Sequence, residues 1–263
     1  MKIFCALALL ASLAATTGQA SQQIADQYPG SELYSKPVEV VPHVYSAIGA
    51  TAPPSYENAG HNNNLSFIVT SQGVVVVNAG ASNRLAAALD SEIKQVTDQP
   101  VVLVINENGQ GHAMLDNGYW CDLGVDVLAH ADAVAEARET GDFIPQRMQG
   151  YNGDKAGVTR IEQADLVFDS TYDITLGGVA IKVLHLGPAH DPGDVQVWIL
   201  QWQVMIAGDI AFHERMLPIF PHTCTNCWIE TWTEQLEPLN PPYLIPGHGL
   251  PTKLAQVRRY RLD

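Results

Sequence analysis

Two kinds of apolar pattern alternate along this chain. Residues 65–70, 74–78 and 101–106 are short, nearly continuous apolar runs, which is how strands covered on both faces read. Ser71-Gln72-Gly73 separates the first two runs and is a hairpin signal. Residues 38–48 alternate in part and are expected as one strand. A loop rich in Pro, Gly and Asn follows over 50–64. After the third run's predecessor, the period changes. Ser82 is placed as a helix N-cap, with Leu85, Leu89, Ile93 and Val96 at helical spacing behind it.

The second half repeats the theme. A short strand is expected at 125–128 and a helix at 131–140, and 142–157 reads as a polar stretch ending in Gly-rich turns. Strands then follow at 166–168, 172–176, 179–186, 195–200 and 204–207. A helix is expected from about 229 to 239, a short strand at 244–245 and a closing helix at 254–261. Strands then helices, twice, predict an α/β chain with two sheets packed together and helices outside. No linker divides it.

The first twenty residues differ from the rest. Lys2 precedes an apolar run over 3–15, and Gly18-Gln19-Ala20 places small residues before Ser21. This reads as a secretory signal peptide, too short to span a bilayer. The expected product is one domain over 21–263, periplasmic or secreted, with no transmembrane segment. The full chain has 14 basic and 28 acidic side chains; losing Lys2 leaves 13 − 28 = −15. That balance argues against nucleic acid or an anionic membrane surface as partner.

Three cysteines lie beyond residue 20: Cys121, Cys224 and Cys227. The spacing of the last two fits a local disulfide, a redox pair or half of a zinc site. No second CxxC occurs, and an oxidising compartment favours the disulfide. Cys121 is then expected as an unpaired, buried thiol.

Three stretches of the second half carry ligand-type side chains at strand ends. They are His190 within 187–194 (GPAHDPGD), Asp209 within 207–209 (AGD) and His248 within 246–249 (PGHG). Two imidazoles and a carboxylate suit a divalent metal. In this order and context the three stretches resemble the later metal motifs of the metallo-β-lactamase superfamily. The wording GPAHDPGDVQVW, AGDIAFHERMLP and IPGHGLPT is similar to a periplasmic branch associated with quinoprotein and sulfur-oxidation systems. The resemblance implies a four-layer αβ/βα sandwich.

The family's first motif, HxHxDH, is altered. Its aligned stretch runs from Asn108 through Gln110 and His112 to Ala113, so Asn and Gln replace two histidines, His replaces the aspartate and Ala replaces the last histidine. Upstream, Asn78 stands in VVVNAG where the family usually has Asp. Two zinc ions need more anionic ligand charge than Asp209 alone offers. The expected site is therefore mononuclear, built from His112, His190, Asp209 and His248, or it holds no metal. Zinc is the first choice, with iron or manganese as alternatives. Asn108, Gln110 and His61 are expected to border the cleft. His130, His185, His213 and His222 fall in no constellation the sequence defines. The functional expectation is a metal-dependent hydrolase-like protein acting on a small molecule. The alternative is an inactive descendant that binds a small molecule or a protein in the old cleft.

Overall fold

The computed structural model describes residues 28–257; the expected signal peptide lies outside them. Seven strands form one sheet, in the order of the chain: β1 (Val38–Val41), β2 (Val44–Ala47), β3 (Leu65–Thr70), β4 (Gly73–Val77), β5 (Val101–Ile105), β6 (Asp126–His130) and β7 (Leu166–Phe168). β1 to β4 pair antiparallel and β4 to β7 parallel. The second sheet has the order β12-β11-β10-β9-β8. It comprises β8 (Thr171–Leu176), β9 (Val179–Leu184), β10 (Gln196–Ile199), β11 (Val204–Phe212) and β12 (Tyr243–His248), the last pair parallel.

Residue alternation explains the layering. In β4, Val75 and Val77 face the second sheet, where they meet Ile181, Val183, Val197 and Ile206. Val74 and Val76 face the other way, onto Leu85, Leu89 and Ile93 of helix α1 (Asn83–Val96). β11 does the same: Val204 and Ile206 point to the shared core, Met205 and Ala207 to Trp228, Trp232 and Leu236 outside. Each fully buried Val or Ile contributes about 1.5–3 kcal/mol, so a one-residue slip in either strand would reverse every contact. Helix, sheet, sheet, helix is the four-layer sandwich expected. Ser82 caps α1, its side chain accepting from Leu85 N.

Several expectations are corrected. Residues 38–48 are two strands, because Pro42-His43 makes a tight turn with His43 at φ 72°. Residues 142–157 are mostly helix α5 (Phe143–Asn152), after α4 (Ala131–Thr140). Two short helices, α2 (Gly111–Met114) and α3 (Asn117–Asp122), fill the segment between β5 and β6. The late helix starts earlier, as α6 (Thr225–Glu230), and continues through a π-helical turn to α7 (Glu237–Leu239). The closing helix is described only over 254–257. Cys224 and Cys227 form a disulfide across the start of α6, whereas Cys121 is unpaired and half-buried rather than buried. Among the described residues no helix is long and apolar enough to cross a membrane.

Candidate metal centre

The cleft opens at the ends of β5, β9, β11 and β12. Asp209 projects from β11 and His248 ends the neighbouring parallel strand β12. Glycine makes this approach feasible: a Cβ on Gly247 would overlap Asp209 Oδ1, and one on Gly208 would lie 2.6 Å from Glu107 Oε2. His112 enters from α2, and His190 from the loop between β9 and β10.

Asp209 is the hub and is buried. Its Oδ1 lies 3.2 Å from His248 Nε2 and its Oδ2 3.4 Å from His112 Nε2. These three side chains converge with ligand atoms within 4.8 Å of one another. His190 stands slightly apart, its Nε2 4.0 Å from Asp209 Oδ2. Burial acts to raise the Asp209 pKa, but the imidazoles of His248, His112 and His190 outweigh it and hold the carboxylate ionised. Burial lowers the pKa of both His190 and His248. The His112 side chain is only 10 % exposed, which alone would lower its pKa, yet the charges of Asp209 and Glu107 raise it.

Glu107 is a member of this site that the sequence reading missed. It is buried beside His112, with Oε1 3.1 Å from His112 Nε2. Burial first, then the charge of Asp209, push its carboxyl up to about 7. The only sequence signal was its place two residues after β5, next to Asn108.

Asn108, Gln110, Ala113 and Asn78 all make defined hydrogen bonds. Asn108 is fully buried, and its Nδ2 donates to Asp194 Oδ1 at 3.2 Å and Asp209 Oδ2 at 3.4 Å. Its Oδ1 accepts from Gln110 N at 3.0 Å, so the amide presents hydrogens, not its oxygen, to the cluster. Gln110 Nε2 donates to Asp191 Oδ2 at 2.5 Å. Ala113 is buried, and its carbonyl accepts from Ala79 N and Asn106 Nδ2. Asn78, at φ 74°, accepts from Glu107 N through Oδ1. The neutral amides of Asn108 and Gln110 thus stabilise buried carboxylates.

His61 is buried, with Nδ1 accepting from Tyr34 N at 2.8 Å. Burial lowers its pKa to about 4, so the ring is neutral. Its neighbour Asn62 borders the centre instead: its carbonyl contacts His248 Nδ1 and accepts from Arg215 at 3.2 Å. Arg215 also places a guanidinium nitrogen 2.7 Å from His248 Nδ1. When Nδ1–H donates to Asn62, the Nε2 lone pair faces Asp209 and is available to a metal.

A cavity of about 750 Å³ adjoins this region, lined by residues including Phe212, Arg215, Met216, Ile229 and Trp232. None of His112, His190, Asp209 or His248 lines it. Phe212, stacked on His248 at 4.8 Å, and Trp228, 5.5 Å from His190, separate it from the ligand atoms.

The chain matches no protein-family model. Its fold is that of solved metallo-β-lactamases. A metallo-β-lactamase from Pontibacter korlensis superposes with a TM-score of 0.69 at 14 % identity, over 85 % of this chain and 95 % of that one. Metallo-β-lactamase IND-7 gives 0.67 at 18 % identity, over 83 % and 91 %. DIM-1 metallo-β-lactamase gives 0.67 at 13 % identity, over 86 % and 94 %. At these identities the likeness establishes the fold, and function must be argued from the residues present.

The donor set fits a single divalent cation. Two imidazoles and a carboxylate converge, Asp209 Oδ1 is buried without a hydrogen-bond partner, and no Lys or Arg ion-pairs with Asp209 among the described residues. Zinc takes such nitrogen and oxygen donors, with iron and manganese as alternatives.

Proposed function

We propose that this chain is a metal-dependent, hydrolase-like protein whose centre is at most mononuclear. The observation that carries this reading is the convergence of His112 and His248 on Asp209. His112, Asp209 and His248 would hold the cation, with His190 closing the set from its neighbouring position. A cation there supplies Lewis-acid polarisation of an ester, thioester or lactam carbonyl. The protein's own groups do the rest. Asp209 balances the charge and fixes both imidazoles. The Asn62 carbonyl, accepting from Nδ1–H, sets the His248 tautomer that leaves Nε2 free. Glu107 adds a second buried carboxyl beside His112, able to hold a proton near neutral pH. Phe212 and Trp228 keep water from the inner side of the imidazoles.

A second reading is supported by a specific observation. Asn108 and Gln110 spend their amide hydrogens on carboxylates, and the ligand side chains of His190, Asp209 and His248 are at most 5 % exposed. That arrangement suits a descendant that binds a small molecule or a protein in the old cleft without turnover. In either case residues 21–263 form the working domain, exported after loss of residues 1–20 to the periplasm or the exterior.

Hydrolysis of ester, thioester and lactam probes by metal-stripped and zinc-loaded protein separates the two. The hydrolase reading expects turnover of at least one class that needs the metal and disappears in Asp209→Ala. No turnover by the zinc-loaded protein, with zinc bound, would support the binding descendant.

A further inference from the structure

Beyond the centre built on Asp209, two other groups of three ligand-type side chains occur among the described residues: His130–Asp132–His185 and Glu136–Asp191–His222. The first is explained by local structure. His130 Nδ1 accepts from Asp132 N to cap α4, its Nε2 donates to Asp169 O at 2.8 Å, and His185 Nδ1 donates to Asp194 O at 2.9 Å. Both nitrogens of His130 are in use, and its ring stacks on His185.

The second group keeps two buried carboxylate oxygens, Asp191 Oδ1 and Glu136 Oε2, without a hydrogen-bond partner. Asp191 is 1 % exposed, and Gln110 holds its Oδ2. Its Oδ1 is buried and lies 2.7 Å from His222 Nε2, yet no hydrogen bond forms, so the atoms are not aligned on each other. Glu136, from α4, brings Oε1 to 4.0 Å from the same Nε2, and its Oε2 is buried with no partner. No Lys or Arg ion-pairs with Glu136, Asp191, Asp194 or Glu107 among the described residues. Buried carboxylates without a cationic partner are costly.

We propose that Glu136, Asp191 and His222 bind a second divalent cation in a site of their own, apart from the Asp209 centre and sharing no ligand with it. One imidazole and two carboxylates suit zinc or manganese better than calcium, which prefers an all-oxygen shell. His222 is 46 % exposed and gives the ion a path from solvent. The replaced motif then has a purpose: Gln110, standing where the related family has a histidine ligand, fixes the free rotation of Asp191 and leaves Oδ1 for the ion.

The test is zinc stoichiometry, by elemental analysis and calorimetry, on full-length mature chain stripped with chelator and reloaded with zinc alone. His222→Ala and Glu136→Gln address this site, and His248→Ala addresses the Asp209 centre; circular dichroism checks that each variant folds. The expected result is two zinc ions per wild-type chain and one in each of the three variants. If His222→Ala and Glu136→Gln retain the wild-type count, the proposal is overturned. One zinc in the wild type, lost in His248→Ala and kept in His222→Ala, overturns it and leaves the Asp209 centre standing. The reverse pattern supports it and removes that centre. A wild type that takes up no zinc overturns both.

Discussion

Gly208 should be the position where backbone, packing and site chemistry meet in one substitution. It sits on β11 at φ +64°, directly before Asp209. An added Cβ would lie 2.6 Å from Glu107 Oε2 and 3.1 Å from the Val195 carbonyl oxygen. The left-handed backbone alone costs an alanine about 1 kcal/mol. The first contact cannot persist, so Glu107 must withdraw from a buried, well-packed position, which adds about 1–3 kcal/mol. Gly208→Ala is therefore expected to destabilise by about 2–4 kcal/mol in total, read as a lower urea midpoint at constant m. A double-mutant cycle isolates the cause. Against a Glu107→Ala background the carboxylate is gone, and the cost of Gly208→Ala should shrink by about 1–3 kcal/mol. Against Glu107→Gln, which keeps the volume and removes the charge, the cost should stay near its wild-type value. A coupling near zero with Glu107→Ala would refute the reasoning that Gly208 exists to seat Glu107.

Asn108→Asp places another carboxylate within 3.2–3.4 Å of the Asp194 and Asp209 oxygens; metal-free protein at pH 8 should lose about 2 kcal/mol or more, with part recovered on adding zinc, and an unchanged urea midpoint would contradict this. Asp116 is fully buried with neither oxygen hydrogen-bonded, and burial, opposed by Arg160 and reinforced by Asp122, lifts its pKa to about 8. Its folded pKa is raised, so its stabilising share is present below pH ~4 and lost as pH climbs towards 8. Asp116→Asn should thus raise the Tm little at pH 4 and most at pH 8, by the equivalent of about 2 kcal/mol; a gain independent of pH would oppose the assignment. Finally, residues 21–263 denatured without reductant should titrate one thiol, Cys121, and three after reduction; three at the outset would mean that Cys224 and Cys227 are not bridged.

The sheets were legible wherever burial on both faces makes the chain apolar throughout, as at Val74–Val77 and Val204–Ala207. The strand continuing to Phe212 was not, because Gly208 and Asp209 interrupt the apolar run for the sake of the site. α5 escaped for a related reason. Only Met148 and Asn152 are buried along it, while Phe143 is 65 % exposed, so no apolar stripe marks its period. His190, Asp209 and His248 could be named because short glycine-flanked turns hold them at strand ends. Glu107 was hidden between Asn106 and Asn108 in what reads as a polar turn. Glu136, Asp191 and His222 come from a helix and two separate loops, and only the folded chain brings them together. The roles of Asn108 and Gln110 also needed coordinates, since a sequence does not say which end of an amide faces a carboxylate.

Anomalous diffraction at the zinc edge, from crystals of residues 21–263 grown with zinc, locates any bound ion directly. A peak is expected at bonding distance, about 2.0–2.2 Å, from His112 Nε2, His248 Nε2 and an Asp209 oxygen. Well-ordered density for these three side chains with no peak between them would contradict it.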